Sequence, residues 1–272
     1  MFVRRHSGEV RPPAVAGSFY PGKAGELRAN VERLLSQATA ASLGDLAGLI
    51  APHAGYMYSG GVAAKSFVCI APLVKTFARV LLIGPPHYLP VRGIAAPSVR
   101  AFATPLGEIP VDGPAISSLQ ESGLVVIDDE PHAPEHALEV ELPFLQIVLK
   151  NFTIVPLLVG SARPEQVASI IGALIDERTL LVVSTDLSHY LDEATARKRD
   201  QATARAIESL DFSRLGPQDA CGCSALNGAL CAAREGGWKV ERLALGNSSA
   251  TSGDFGSVVG YGAWSLCAAP RS

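Results

Sequence analysis

A three-layer α/β domain, with helices on both faces of one central mixed and largely parallel sheet, is the fold this sequence predicts. Three observations carry that expectation. Short apolar runs recur along the 272 residues, helical periodicities alternate with them, and hydrophobic residues make up 48% of the chain against 18% charged. The runs are apolar throughout rather than alternating, the habit of strands buried on both faces. Alternation of such strands with helices makes a sheet covered on its two sides.

The opening, MFVRRHSGEVRPP, has positive charges but no apolar stretch behind them. Residues 1–12 are therefore expected to form a flexible arm and not a secretory leader, and His6 within it is given no role. Residues 13–268 show no repeat or linker and are expected to be a single domain. Strands are predicted at 46–51, 80–84, 124–127, 152–159, 180–184, 240–245 and 258–266. A first helix is predicted over 21–38, where Leu27, Val31, Leu34 and Leu35 share helical spacing. A second, over 164–176, repeats Val167, Ile170, Ile171 and Leu174, and the Ala-rich stretches 193–210 and 224–234 are good helix formers. Between Ile94 and Pro110 turn residues separate short extended pieces, which points to antiparallel additions to the sheet.

Composition excludes several functions. Mean hydropathy is +0.24, yet Pro156 interrupts one apolar run and Ser184 ends another, well short of the roughly 18 residues a spanning helix needs. No membrane association is expected. The net charge of −3 and scattered Lys and Arg argue against a nucleic-acid partner. The densest basic patch, Arg197, Lys198 and Arg199, has acids nearby and reads as a solvated helix face. Five cysteines without a CxxC pair fit a reducing cytoplasm. Neither a P-loop nor a GxGxxG turn is present, which removes kinases and dehydrogenases.

Chemically able residues follow the apolar runs: His53 the first, His87 the second, Asp186 and His189 the run ending at Val183. In open α/β sheets ligands bind beyond the carboxyl ends of strands, so these residues are expected to converge. His53 is preceded by Pro52 and His87 by Pro85 and Pro86, each a stiff exit from a strand. Imidazole is a common ligand for Zn, Cu and Fe. Asp186 either hydrogen-bonds His189 and raises its basicity or caps the turn that follows. His132 and His136 are separated by Pro134, which spoils a shared helical face, and His132 is expected at the surface. Glu135 and Glu139, four apart, either form an acidic helix start or orient ligands from behind, together with His136. Cys69, Cys231 and Cys267 sit in apolar surroundings and read as packing residues. Cys221 and Cys223 precede a helix, a position that favours thiolate; spacing does not choose between them.

Seven segments together resemble the Memo family, including its prokaryotic members called AmmeMemoRadiSam system protein B. They are Ala16-Gly-Ser-Phe-Tyr-Pro, Ile50-Ala-Pro-His-Ala-Gly-Tyr, Ile83-Gly-Pro-Pro-His, Glu135-His-Ala-Leu-Glu-Val-Glu-Leu-Pro-Phe, Val183-Ser-Thr-Asp-Leu-Ser-His, Ala220-Cys-Gly and Val259-Gly-Tyr. The resemblance implies a fold like that of class III extradiol dioxygenases. It implies one transition-metal ion, Fe, Cu or Zn, on His53, His87 and Cys221, with Asp186 and His189 lining the same pocket as catalytic residues. Glu135, His136 and Tyr56 are then expected as the outer shell. Many relatives carry a serine and a second histidine where this chain has Pro86 and Tyr88, so outer contacts at that corner differ. Cysteine in place of the dioxygenase carboxylate makes a softer site, and the fold alone does not confer dioxygenase activity.

Three functions stay open at this level. One is a metal-dependent redox enzyme, dioxygenase-like, acting on a small molecule. Another is a metal-dependent hydrolase in which His189 shuttles protons. The third is a non-catalytic metal-binding protein working with Ammecr-type and radical-SAM partners, as the prokaryotic family name implies.

Overall fold

The computed structural model describes residues 7–41, 44–71 and 77–268. In chain order the elements are β1 (Ser7–Arg11), α1 (Ala24–Ser36), β2 (Asp45–Ala51), α2 (Tyr56–Phe67), β3 (Arg79–Gly84), β4 (Ile94–Ala96), β5 (Val99–Thr104) and β6 (Gly107–Pro110). There follow α3 (Gly113–Glu121), β7 (Val126–Ile127), α4 (Leu142–Val148), β8 (Thr153–Val159), α5 (Pro164–Leu174), β9 (Thr179–Ser184) and β10 (His189–Leu191). The chain continues through α6 (Glu193–Glu208), α7 (Cys223–Glu235), β11 (Lys239–Asn247), α8 (Ser249–Ser252) and β12 (Val258–Ala268).

The large sheet runs β10-β12-β2-β9-β3-β8-β4-β7, and β11 pairs antiparallel with β12 outside this order. Its centre, β2-β9-β3-β8, is parallel, and β12 and β4 join antiparallel on the two flanks. Successive residues of the central strands point to opposite sides. Ile50, Leu81, Ile83, Leu181 and Val183 meet α3, α5 and α7 on one face. Leu49, Val80, Leu82, Leu180 and Val182 meet α1, α2 and α4 on the other. This double burial is why the strands read as unbroken apolar runs, and the protein is a three-layer αβα sandwich. Among the described residues no helix is long and apolar enough to cross a membrane.

Three expectations need correction. The flexible arm expected over 1–12 does not hold for residues 7–11; residues 1–6, His6 among them, lie outside the described residues. Ser7–Arg11 is a strand, paired parallel with β5 in a separate sheet ordered β1-β5-β6. The fastening is ionic: Arg11, 4% exposed, meets Glu139 at 2.7 Å, and the same carboxylate accepts from Ala14 N, Val15 N and Tyr20 Oη. Within 94–110, β4 does extend the main sheet, but β5 and β6 leave it to form this second one. His132 is buried, not at the surface; its carbonyl accepts from Arg11 Nε and its Nε2 bonds Ala95 O. Glu139 thus serves the N-terminal segment rather than the ligands.

Candidate metal centre

The carboxyl ends of β2, β9 and β3 lie side by side, since Ala51 pairs with Ser184 and Ile83 with Val183. His53 sits two residues past β2 and His87 three past β3, so a shared sheet edge brings them together as the sequence reading expected. Their ring centroids are 5.1 Å apart. His136, from the segment between β7 and α4, stacks on His87 at 4.6 Å and meets His53 edge-on at 5.4 Å. One ligating atom from each of the three imidazoles lies within 4.8 Å of the others, a group that could hold a metal ion. Cys221 approaches from the turn before α7, its Sγ 3.3 Å from His53 Nε2. Its neighbour Gly222 is required: a Cβ there would meet Ser184 O and Thr185 Cβ at 2.8 Å. Cys223 lies inside α7 and packs into the core.

The hydrogen bonds behind the imidazoles set where their lone pairs point. Glu135 accepts from the backbone N–H of His87 and from its Nδ1 at 2.9 Å. Burial pushes the Glu135 carboxyl up, but the bonds from the His87 ring and from the N–H groups of Ala137 and His87 outweigh it and hold the pKa below its ordinary value. An ionised carboxylate only accepts, so Nδ1 of His87 carries the proton and Nε2 is left as a ligand. His189 is fixed in the same way by a carbonyl, Nδ1 to Leu187 O at 2.8 Å. The expected Asp186–His189 hydrogen bond is not formed. Asp186 Oδ1 instead accepts from the backbone N–H of His53 at 2.9 Å, and burial raises this carboxyl to about 7. Tyr56 spends its hydroxyl on Val140 O behind the site; Tyr58 lines the pocket in its place.

These groups form the floor of a cleft of about 840 Å³, walled by Phe19, Tyr58, Tyr190 and Tyr261. A cleft of that size admits a small organic molecule beside an ion. Tyr190 follows His189 at φ 58°, a left-handed backbone that a bulky residue adopts only when its surroundings impose it, as they do at functional sites.

Protonation suits metal binding on the imidazole side and opposes it on the sulfur side. Burial first, then neighbouring imidazoles, holds His53 well below its ordinary value. Burial lowers His136 to about 4 even against the attraction of Glu135. Burial and the nearby Asp186 push the Cys221 thiol up to about 12. A thiol must lose its proton to coordinate. As long as pH stays below that value, each added pH unit raises the thiolate fraction tenfold. Zn(II) affinity is therefore expected to rise about tenfold per pH unit between about pH 8 and 9, with one proton released per ion. Calorimetry in buffers of different ionisation enthalpy measures that proton; a flat profile would mean that sulfur does not ligate.

Sequence reasoning missed Ser184 and Glu141, which stand behind His53: Ser184 Oγ is 2.7 Å from His53 Nδ1 and 2.8 Å from Glu141 Oε1. Glu141 sits within the recognised 135–144 segment, but nothing in its spacing separates it from Glu139.

Residues 11–265 match the family described as Memo-like protein. Relatives called MEMO1 family protein include one of Thermotoga neapolitana, 34% identical over 93% of this chain and 98% of that protein. One of Nitrosopumilus maritimus is 31% identical and one of Aeropyrum pernix 36% identical, each with the same coverage. A solved structure, that of the uncharacterized protein JW3007 of Escherichia coli K12, aligns with a TM-score of 0.49 at 15% identity, over 80% of this chain and 99% of that one.

Proposed function

Since this chain belongs to the Memo family, whose model spans residues 11–265, we propose that it is a metal-dependent oxidoreductase acting on a small molecule. The observation that carries this reading is the convergence of His53, His87 and His136 within 4.8 Å, with Cys221 Sγ beside His53, at the floor of an open cleft. A structural metal site is closed, whereas a catalytic one keeps room for substrate. His53, His87 and Cys221 would hold the ion, with His136 close enough to serve as a fourth donor. When bound, an Fe, Cu or Zn ion would supply Lewis-acid chemistry, and Fe or Cu would also supply redox chemistry. Thiolate beside imidazole suits Cu, Fe and Zn, and the redox reading requires Fe or Cu.

The protein's own groups do the rest. Glu135 orients His87. His189 offers Nε2 as a proton acceptor, and the aromatic walls offer ring faces to a planar substrate. Elemental analysis of protein purified without a histidine tag, with electron paramagnetic resonance of the bound ion, tests the core of the reading. Cys221→Ser is expected to abolish the thiolate-to-metal charge-transfer band of the Co(II)-loaded protein, while Cys223→Ser leaves it unchanged. Equal loss in both variants would reassign the sulfur ligand.

A second reading draws on the rim. Met57, Tyr58, Tyr88, Leu89, Tyr190 and Phe255 are exposed large hydrophobics, each lining the cleft or belonging to a segment that does. Such a surface suits protein contact, and Ammecr-type and radical-SAM proteins are the partners proposed for it. Co-purification with either, lost on Tyr88→Glu, would support a docking role.

A further inference from the structure

Of the three ring-to-acceptor bonds behind the site, the one at His53 is different in kind. His87 and His189 lean on a carboxylate and a carbonyl, which only accept. His53 Nδ1 leans on the hydroxyl of Ser184, which can donate or accept. If Ser184 donated to Nδ1, the proton of His53 would sit on Nε2 and block its lone pair. Something must therefore decide which way the hydroxyl points.

Two acceptors stand on the far side of Ser184 Oγ: Ala137 O at 2.7 Å and Glu141 Oε1 at 2.8 Å. A hydroxyl has one proton and two lone pairs. If Glu141 is ionised, it draws the Ser184 proton to itself. If Glu141 is protonated, it donates to Ser184, which passes its own proton to Ala137 O. In both cases Ser184 Oγ is left to accept from His53 Nδ1–H. Glu141 is 0% exposed, and among the described residues its Oε2 has no hydrogen-bond partner. Among the described residues no Lys or Arg forms an ion pair with it; Arg11 pairs with Glu139. A buried carboxyl so poorly compensated costs stability, so the fold alone does not account for it.

We infer that Glu141, acting through Ser184, is a positioning residue that fixes the Nδ1–H tautomer of His53 and so frees its Nε2 lone pair on the side where Cys221 Sγ lies. The tautomer stands on the hydrogen bonds alone; its use rests on the metal reading given above. His53 and His87 would then both be oriented by a buried glutamate, one through a serine and the other directly.

The tautomer is read without metal. Long-range proton–nitrogen correlation spectra of the full chain, ¹⁵N-labelled at histidine and kept metal-free at about pH 8, report which ring nitrogen is protonated. The His53 signals are identified by their loss in His53→Ala. The expected result is Nδ1–H in the wild type, a shift toward Nε2–H in Ser184→Ala and in Glu141→Leu, and restoration in Glu141→Gln, which keeps polar atoms facing Ser184. Should Ser184→Ala fail to fold, the two Glu141 variants decide the matter. A merely structural Glu141 would make Glu141→Leu less stable; the expected variant is as stable as wild type in urea, yet binds Co(II) about 10–100-fold more weakly. An Nε2–H signal in the wild type, or an unchanged tautomer in Glu141→Leu, overturns the inference; the second result would leave Ala137 O alone to take the Ser184 proton. If the wild type shows Nδ1–H but binds no Co(II), the tautomer assignment stands and the metal centre falls.

Discussion

His87→Ala is expected to lower Co(II) affinity by more than about 100-fold, beyond the 10–100-fold typical of losing an outer-shell partner, while the unfolding midpoint changes little. His53→Ala should lose as much. The first variant is the cleaner, because the His87 side chain is 27% exposed and its removal leaves no sealed void, whereas His53 is 1% exposed. Glu135 keeps the N–H groups of His87 and Ala137 after the ring is gone, so its charge is not stranded. Circular dichroism and urea melts establish that each variant folds, and equilibrium dialysis gives the affinity. His136→Ala decides between the two ligand sets the cleft offers. On two imidazoles and a thiolate, it costs less than His87→Ala, and Cys221→Ser costs as much. On three imidazoles, the order reverses. Wild-type occupancy in both His53→Ala and His87→Ala would end the metal reading.

The central strands were legible because burial on both faces leaves a simple mark, an apolar run closed by a turn; β1 and β10 carry no such run and were not foreseen. Four helices were not foreseen either, the four-residue α8 among them. In α2, Ser59, Gly60 and Gly61 lower intrinsic helix propensity, and packing against α1 and β2 overrides it. The segment α3 carried a readable start, Asp112 accepting from Ala115 N with Pro114 just behind it, and a capping argument would have found it. The short α4 follows a single tight turn at Glu139–Glu141, and seven residues give periodicity little to work with. The strand-end rule located His53 and His87 from sequence alone, since parallel strands in register put their exits on one edge. Cys221 is 168 positions from His53 and belongs to no strand exit; its place before a helix marked it together with Cys223, and only the family resemblance chose between the two. Arg11 and Glu139, 128 positions apart, left no sequence signal at all.

His189→Ala is expected to keep its metal and lose turnover by about 100-fold to 10,000-fold, the span of a general acid or base. The ring lines the cleft, and its Nδ1–H is spent on Leu187 O, so the free lone pair is on Nε2. Burial lowers its pKa, only partly offset by the bond to Leu187. A lowered value keeps the imidazole neutral, hence able to take a proton, to a more acidic pH than an ordinary histidine. The acidic limb of the rate profile should accordingly fall below the usual imidazole range and disappear in the variant. Asp186 does not tune this ring directly; its carboxylate holds the backbone of His53, so Asp186→Asn should disturb metal affinity before it disturbs proton transfer. Oxygen uptake with catechols and related phenols is the assay for redox turnover, and hydrolysis of simple esters and amides is its control. Turnover of esters without oxygen uptake would make the protein a hydrolase with the same base. Loss of the ion in His189→Ala would make His189 a ligand, and the proton would then have to leave through another group on the cleft wall.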